Sequence, residues 1–150
     1  MEGKMTLSHR FTGKVALVTD GNSRIGLATT LAFAEEGARV VLQDSGDLGQ
    51  GGRQLGENVV AVRNDTGNVA NGIKLAALLQ QKCVMLDAMF INAGVAKLAP
   101  FETGDVGYVF QHQREGAVFF DQGIAPSAWN PGAAIVLNDS INAHIGMSQL

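Results

Sequence analysis

Thr19-Asp20-Gly21-Asn22-Ser23-Arg24-Ile25-Gly26 is the stretch of this sequence whose residue types can grip a ligand. Its turn-forming residues run straight into a helix start, where backbone N–H groups without intrahelical partners attract an anion such as a pyrophosphate. Asp44 follows at close to the separation, about twenty residues, at which a carboxylate accepts a ribose hydroxyl in such a site. Asn92-Ala93-Gly94 puts a side-chain amide and then a glycine at the end of an apolar run, where ligands bind in open α/β sheets. Asp139, Ser140 and His144 supply the residue types of a serine hydrolase, but they share one loop and lack a Gly-x-Ser-x-Gly elbow. A single cysteine, Cys83, rules out an internal disulfide and cannot build a metal site alone, so no metal is expected.

These residues need elements to position them. Val15-Ala16-Leu17-Val18 is a short apolar run with the character of a buried strand. Ile25, Ala28, Leu31 and Ala32 follow at helical spacing, and Gly37 is suited to end that helix. Ala38, Val40, Val41 and Leu42 make a second strand leading into Gln43 and Asp44, which completes a βαβ unit with parallel strands. Residues 45–56 carry too many glycines for more than a short or frayed helix, and residues 58–63 form a third strand. Residues 69–82 read as an amphipathic helix with Val69, Ile73, Ala76 and Leu79 on one face, widened by Leu75 and Leu78.

Residues 86–91 form a fourth strand. Residues 103–128 are weakly patterned, Trp129-Asn130-Pro131-Gly132 is a stop signal, and residues 133–137 form a fifth strand. The expected fold is α/β: a three-layer, doubly wound parallel sheet of order 3-2-1-4-5 over residues 11–150, after a tail at 1–10. Apolar surface beside the fifth strand should be left uncovered, which predicts a homo-oligomer.

With 150 residues the chain can bury one real core. A net charge of −3 and the lack of any basic cluster interleaved with aromatics exclude a nucleic-acid surface. No run of about eighteen apolar residues is present, so no membrane partner is expected, and the lone cysteine fits a reducing, cytoplasmic setting.

Several separated stretches together resemble the short-chain dehydrogenase/reductase family. They are Gly13-Lys14-Val15-Ala16-Leu17-Val18-Thr19, Asn22-Ser23-Arg24-Ile25-Gly26, residues 37–44, Asn64-Asp65, Asn92-Ala93-Gly94 and residues 135–140. The resemblance implies a Rossmann-like dinucleotide-binding domain and an oxidoreductase acting on a small alcohol or carbonyl compound. Cofactor-binding residues would be Thr19, Gly21, Asn22, Ser23, Arg24, Ile25, Gly26, Asp44, Asp65, Asn92, Ala93 and Gly94. Asp44 would favour NAD over NADP, Asp65 would lie beside the adenine, and Ser140 would be the active-site serine.

The sequence departs from the family pattern where chemistry is concentrated. The family turn reads Thr-Gly-x-x-x-Gly-x-Gly, and Asp20 and Arg24 replace its first two glycines, with Gly21 left as a candidate to re-form the turn one residue late. A carboxylate about 4 Å from a phosphate charge costs on the order of 4 kcal/mol at an effective dielectric of 20, less where solvent screens it. Dinucleotide binding is therefore expected to be weakened. Gln113 stands at the family's asparagine position, and the Tyr-x-x-x-Lys pair expected about a dozen residues after Ser140 does not occur in the sequence. Tyr108, the single tyrosine, has the character of a packing aromatic. The domain thus reads as the nucleotide-binding part of an oxidoreductase lacking the catalytic part, with a non-enzymatic, engineered or truncated Rossmann-fold protein as the alternative.

Overall fold

The computed structural model describes residues 9–48, 55–65, 69–82, 85–92 and 129–138. Seven elements follow in order: β1 (Val15–Thr19), α1 (Arg24–Glu35), β2 (Arg39–Asp44), β3 (Val59–Arg63), α2 (Val69–Gln81), β4 (Leu86–Ile91) and β5 (Trp129–Leu137). The five strands form one parallel sheet of order β3-β2-β1-β4-β5, as the alternation of strands and helices predicts.

Successive strand residues feed opposite faces of the sheet. Leu17 and Val41 pack with Leu75, Ala76 and Leu79 of α2 and with Leu86, Met89 and Ile91 of β4. On the other face Val18, Val40 and Leu42 pack with Ala38 and Val59, bordered by Phe11, Phe33 and Ala34. Phe11 and Phe33 meet edge to face with centroids 5.0 Å apart. Arg10, expected in a loose tail, pairs its guanidinium with Glu36 at 2.9 Å and joins the end of α1.

Two expectations need correction. The apolar stripe expected on α1 points outward: Ile25 and Leu31 are exposed, as are Ala28 and Ala32, whereas Gly26 and Thr30 are buried and Leu27, Phe33 and Ala34 are partly so. Close approach of the helix to the turn before it selects small residues for the inner face. Ile73 of α2 is likewise exposed, and Gly72 takes the buried place. The second correction concerns β5, which begins at Trp129 and runs through the expected stop. An edge strand tolerates Pro131, and the register shift between Leu86 and Ala88 absorbs the extra residues around Gly132, whose φ is +82°.

Candidate functional site

The carboxyl ends of β1, β2 and β4 converge on the turn that leads into α1. Asp20 and Arg24 both adopt the left-handed backbone that glycine takes most readily, with φ of +51° and +47°. Gly21 is not left-handed, so the turn is not re-formed one residue late; Asp20 itself carries the conformation. A Cβ on Gly26 would lie 1.9 Å from the Asp20 carbonyl oxygen, so that position admits glycine alone. A Cβ on Gly21 would lie 2.7 Å from Leu42 and 3.0 Å from the Thr30 hydroxyl.

Hydrogen bonds hold the turn from beneath. Gly21 N–H donates to the Gln43 carbonyl at 3.1 Å, and the buried Thr30 hydroxyl donates to the Gly21 carbonyl at 3.3 Å. Thr19 is fully buried, its hydroxyl accepting the Asn92 N–H at 2.9 Å, so it joins β1 to β4 under the turn. Ser23, Arg24 and Ile25 are exposed at the start of α1. Ser23 makes no side-chain cap bond and the first turn of α1 has no acidic residue, so the helix start keeps its affinity for an anion.

Asp44, at the end of β2, is 7% exposed. Its Oδ2 accepts the Asn22 N–H at 3.2 Å and its Oδ1 accepts the Gly46 N–H at 2.8 Å. Thr19 pairs with Gln43 across β1 and β2, which brings Asp20 beside Asp44. Burial first, then the Asp44 charge and side-chain bonding to it, raise the Asp20 carboxyl above its ordinary value, while Arg24 pulls the other way.

Asn92 links three strand ends. Its amide nitrogen lies 3.5 Å from the Asp20 carbonyl, and its Oδ1 accepts from the Asn138 side chain at 2.8 Å. A cleft of about 670 Å³ opens beside the edge strand, lined by Ser45, Arg63, Asn64, Asp65, Asn71 and Lys74 among others. Gln43 Nε2 donates to the Asn64 carbonyl, and Asn64 Nδ2 donates to the Asn71 carbonyl at 2.8 Å, tying β2 and β3 to α2. Ala93, Gly94, Asp139, Ser140, His144, Tyr108, Gln113 and Cys83, together with the whole weakly patterned stretch 103–128, lie outside the described residues.

The structure thus brings Asp20, Gly21, Asn22, Arg24, Gly26, Asp44 and Asn92 to one strand edge. Three participants escape a sequence reading. Thr30 and Asn138 are ordinary helix and loop residues by type. The approach of Asp20 to Asp44 joins positions that only parallel pairing of β1 with β2 makes neighbours.

Comparison with known proteins agrees with this geometry. Residues 14–149 match the short chain dehydrogenase family. The chain is 31% identical to oxidoreductase asL5 of Sarocladium schorii over 97% of its own length and 61% of that protein's. It is 34% identical to 3-beta-hydroxysteroid dehydrogenase of Comamonas testosteroni over 65% of its length and 39% of that protein's. Among solved structures, the RhlG/NADP active-site complex of Pseudomonas aeruginosa superposes with a TM-score of 0.83 at 23% identity, covering 97% of this chain and 61% of that one. The chain therefore spans 39% to 61% of the length of these relatives. With a parallel sheet of this order and a glycine-containing turn under a helix start, matched over nearly its whole length, the chain belongs to the short-chain dehydrogenase family.

Proposed function

We propose that this chain holds a nicotinamide dinucleotide, NAD ahead of NADP, across the carboxyl edge of its sheet, and that alone it does not turn over an alcohol or carbonyl substrate. The observation that carries the reading is the turn itself. Asp20 and Arg24 keep a left-handed backbone, and Gly26 stays pressed on the Asp20 carbonyl, so the cradle at the start of α1 survives the loss of two glycines. The residues fit the group.

In this reading the N–H groups at the start of α1 hold the pyrophosphate, with Gly21, Asn22, Ser23 and Ile25 shaping its seat. Asp44 accepts a ribose hydroxyl and repels the 2′-phosphate of NADP. Asp65 borders the adenine in the cleft beside β3, and Asn92, Ala93 and Gly94 form the next strand end. The bound nicotinamide supplies the hydride acceptor or donor. Ser140 steadies the substrate oxygen by a hydrogen bond. Proton transfer at that oxygen needs an acid within about 3 Å and with a pKa near the working pH. The 150 residues hold one tyrosine, Tyr108, with His112 and not lysine four positions on. Losing general acid catalysis typically costs about 10²–10⁴ in rate.

A second reading, a non-enzymatic role in self-association, draws on β5, where Ile135, Val136 and Leu137 are each more than half exposed. Both readings suit a reducing, cytoplasmic setting and a homo-oligomer. Calorimetric titration separates them. NAD should bind weakly, and Asp20→Gly with Arg24→Gly should tighten it at least tenfold, about 1.4 kcal/mol. Asp44→Ala should weaken NAD and relieve the exclusion of NADP. Absence of NAD binding by both the wild type and the double variant would leave the second reading standing.

A further inference from the structure

Among the described residues nothing covers the outward stripe of α1. The helix has 12 residues and is about 18 Å long. Ile25 and Leu31 are 56% and 37% exposed, and Ala28 and Ala32 are exposed with them. Positions three, four and seven apart share one helix face, so Arg24, Ala28, Leu31, Ala32 and Glu35 form one outward row, widened by Ile25. An ordinary surface helix turns polar residues outward; this one turns aliphatic residues outward and keeps charge to its two ends.

Those end charges are a separate observation. Arg24 opens the helix and Glu35 closes it, and the first turn has no acidic residue and the last no basic one. The helix dipole favours the opposite placement, so neither charge serves the helix that carries it. Neither is in an ion pair among the described residues, where Arg10 takes Glu36 and Lys14 takes Asp87. Arg24 and Glu35 stand about three turns apart, which puts both on the same face. A row with a cation at one end, a carboxylate at the other and aliphatic side chains between is complementary to itself when turned end for end.

We propose that two copies of this chain associate through the outer faces of α1, packed antiparallel about a two-fold axis, with each Arg24 paired to the other copy's Glu35. The contact is isologous, so every pair forms twice. The register that joins Arg24 to Glu35 also sets Ala28 opposite the second copy's Leu31, a small side chain against a large one, as interdigitating helices require. Exposed ion pairs add little affinity, and here they set direction and register. Two helices of this length bury less than the roughly 1,200 Å² at which stable interfaces begin, so the dimer is weak and concentration-dependent. The middle of the contact lies beyond the first turn of α1, so the proposal stands whether or not a dinucleotide binds.

Sedimentation over a concentration series tests it, with thermal unfolding to show that each variant is folded. Arg24→Glu and Glu35→Arg both suit the helix dipole, so neither should cost stability. Each alone sets like charges across the contact and should weaken the dimer at least tenfold. An equimolar mixture of the two should recover it, because one chain then carries two acidic ends and the other two basic ones. The double variant Arg24→Glu with Glu35→Arg should recover it unaided. Ala28→Glu charges the middle of the row and should weaken the dimer without any reversal at the ends. A wild type that stays monomeric at millimolar concentration would overturn the proposal. So would a single reversal or Ala28→Glu that dimerises as well as the wild type, or a mixture that does not recover.

Discussion

At its amino end β1 meets Asp87, and at its carboxyl end it runs into Asp20. The two carboxylates are handled in opposite ways. Asp87 accepts the Lys14 ammonium at 2.9 Å through one oxygen and the Val15 N–H at 2.9 Å through the other. Burial pushes its carboxyl upward, but the bonds from Lys14, Val15 and Asn130 and the Lys14 charge outweigh it, and the carboxyl ends below its ordinary value. Asp20 sits on a left-handed backbone, faces a second carboxylate and is raised. At the amino edge the carboxylate is paired and hydrogen-bonded. The carboxyl edge tolerates strain and like charge on the side where the dinucleotide is proposed to bind, and a single strand joins the two.

The comparison can be broken most forcefully at the contact that fixes the turn. Gly26→Ala should lose about 3 kcal/mol of stability in urea denaturation, since the new methyl must displace backbone, which overpacking rarely permits cheaply. Gly13→Ala at the amino edge is the contrast. Its φ is +76° but nothing lies within 4 Å, so the loss should be near 1 kcal/mol. Equal losses would show that contact is not what restricts position 26.

Asp87→Asn should remove about 2 kcal/mol at neutral pH, the usual scale for hydrogen bonds to a charged group. Its carboxyl is lowered from 3.8, so its contribution is complete above that pH and disappears as pH falls through the folded-state value. Denaturation of wild type and variant should therefore converge in acid. Asp20→Asn should do the reverse, on a smaller scale. A raised carboxyl stabilises fully below 3.8 and less as pH rises through its folded value, so the variant should be the more stable protein at neutral pH and equal in acid. Solvent screening keeps the gain under about 1 kcal/mol.

Smallest in stability is Val136→Lys on β5. The exposed site should change folding by less than about 0.5 kcal/mol, yet a charge on an apolar edge should suppress self-association in sedimentation. An unchanged sedimentation profile at high concentration would clear β5 of any part in assembly.

The strand order was legible because each apolar run is bounded by turn residues and the intervening lengths permit only parallel crossovers. The inner face of α1 was not. Hydrophobic periodicity selects Ile25 and Leu31, whereas the buried positions are Gly26 and Thr30, chosen by how closely the helix approaches residues 20 and 21. Closeness of approach favours small residues, which hydrophobicity does not register. At the site, Asp44 was readable from its position at a strand end. That Asp20 would stand beside it was not, because the two become neighbours only through the parallel register of β1 and β2.

The three family glycines of the turn meet different fates under mutation, and the geometry says why. Positions 20 and 24 need a glycine only for its freedom of backbone angle, and an L-residue can occupy such an angle for about 1–2 kcal/mol, less for aspartate. Position 26 needs one because another atom already fills the space of a side chain. A lineage can drift through the first kind of requirement while its fold survives, and the residues it acquires there are free to take up new work. The second kind closes the path, so Gly26 is the marker by which this turn stays recognisable after its neighbours have changed.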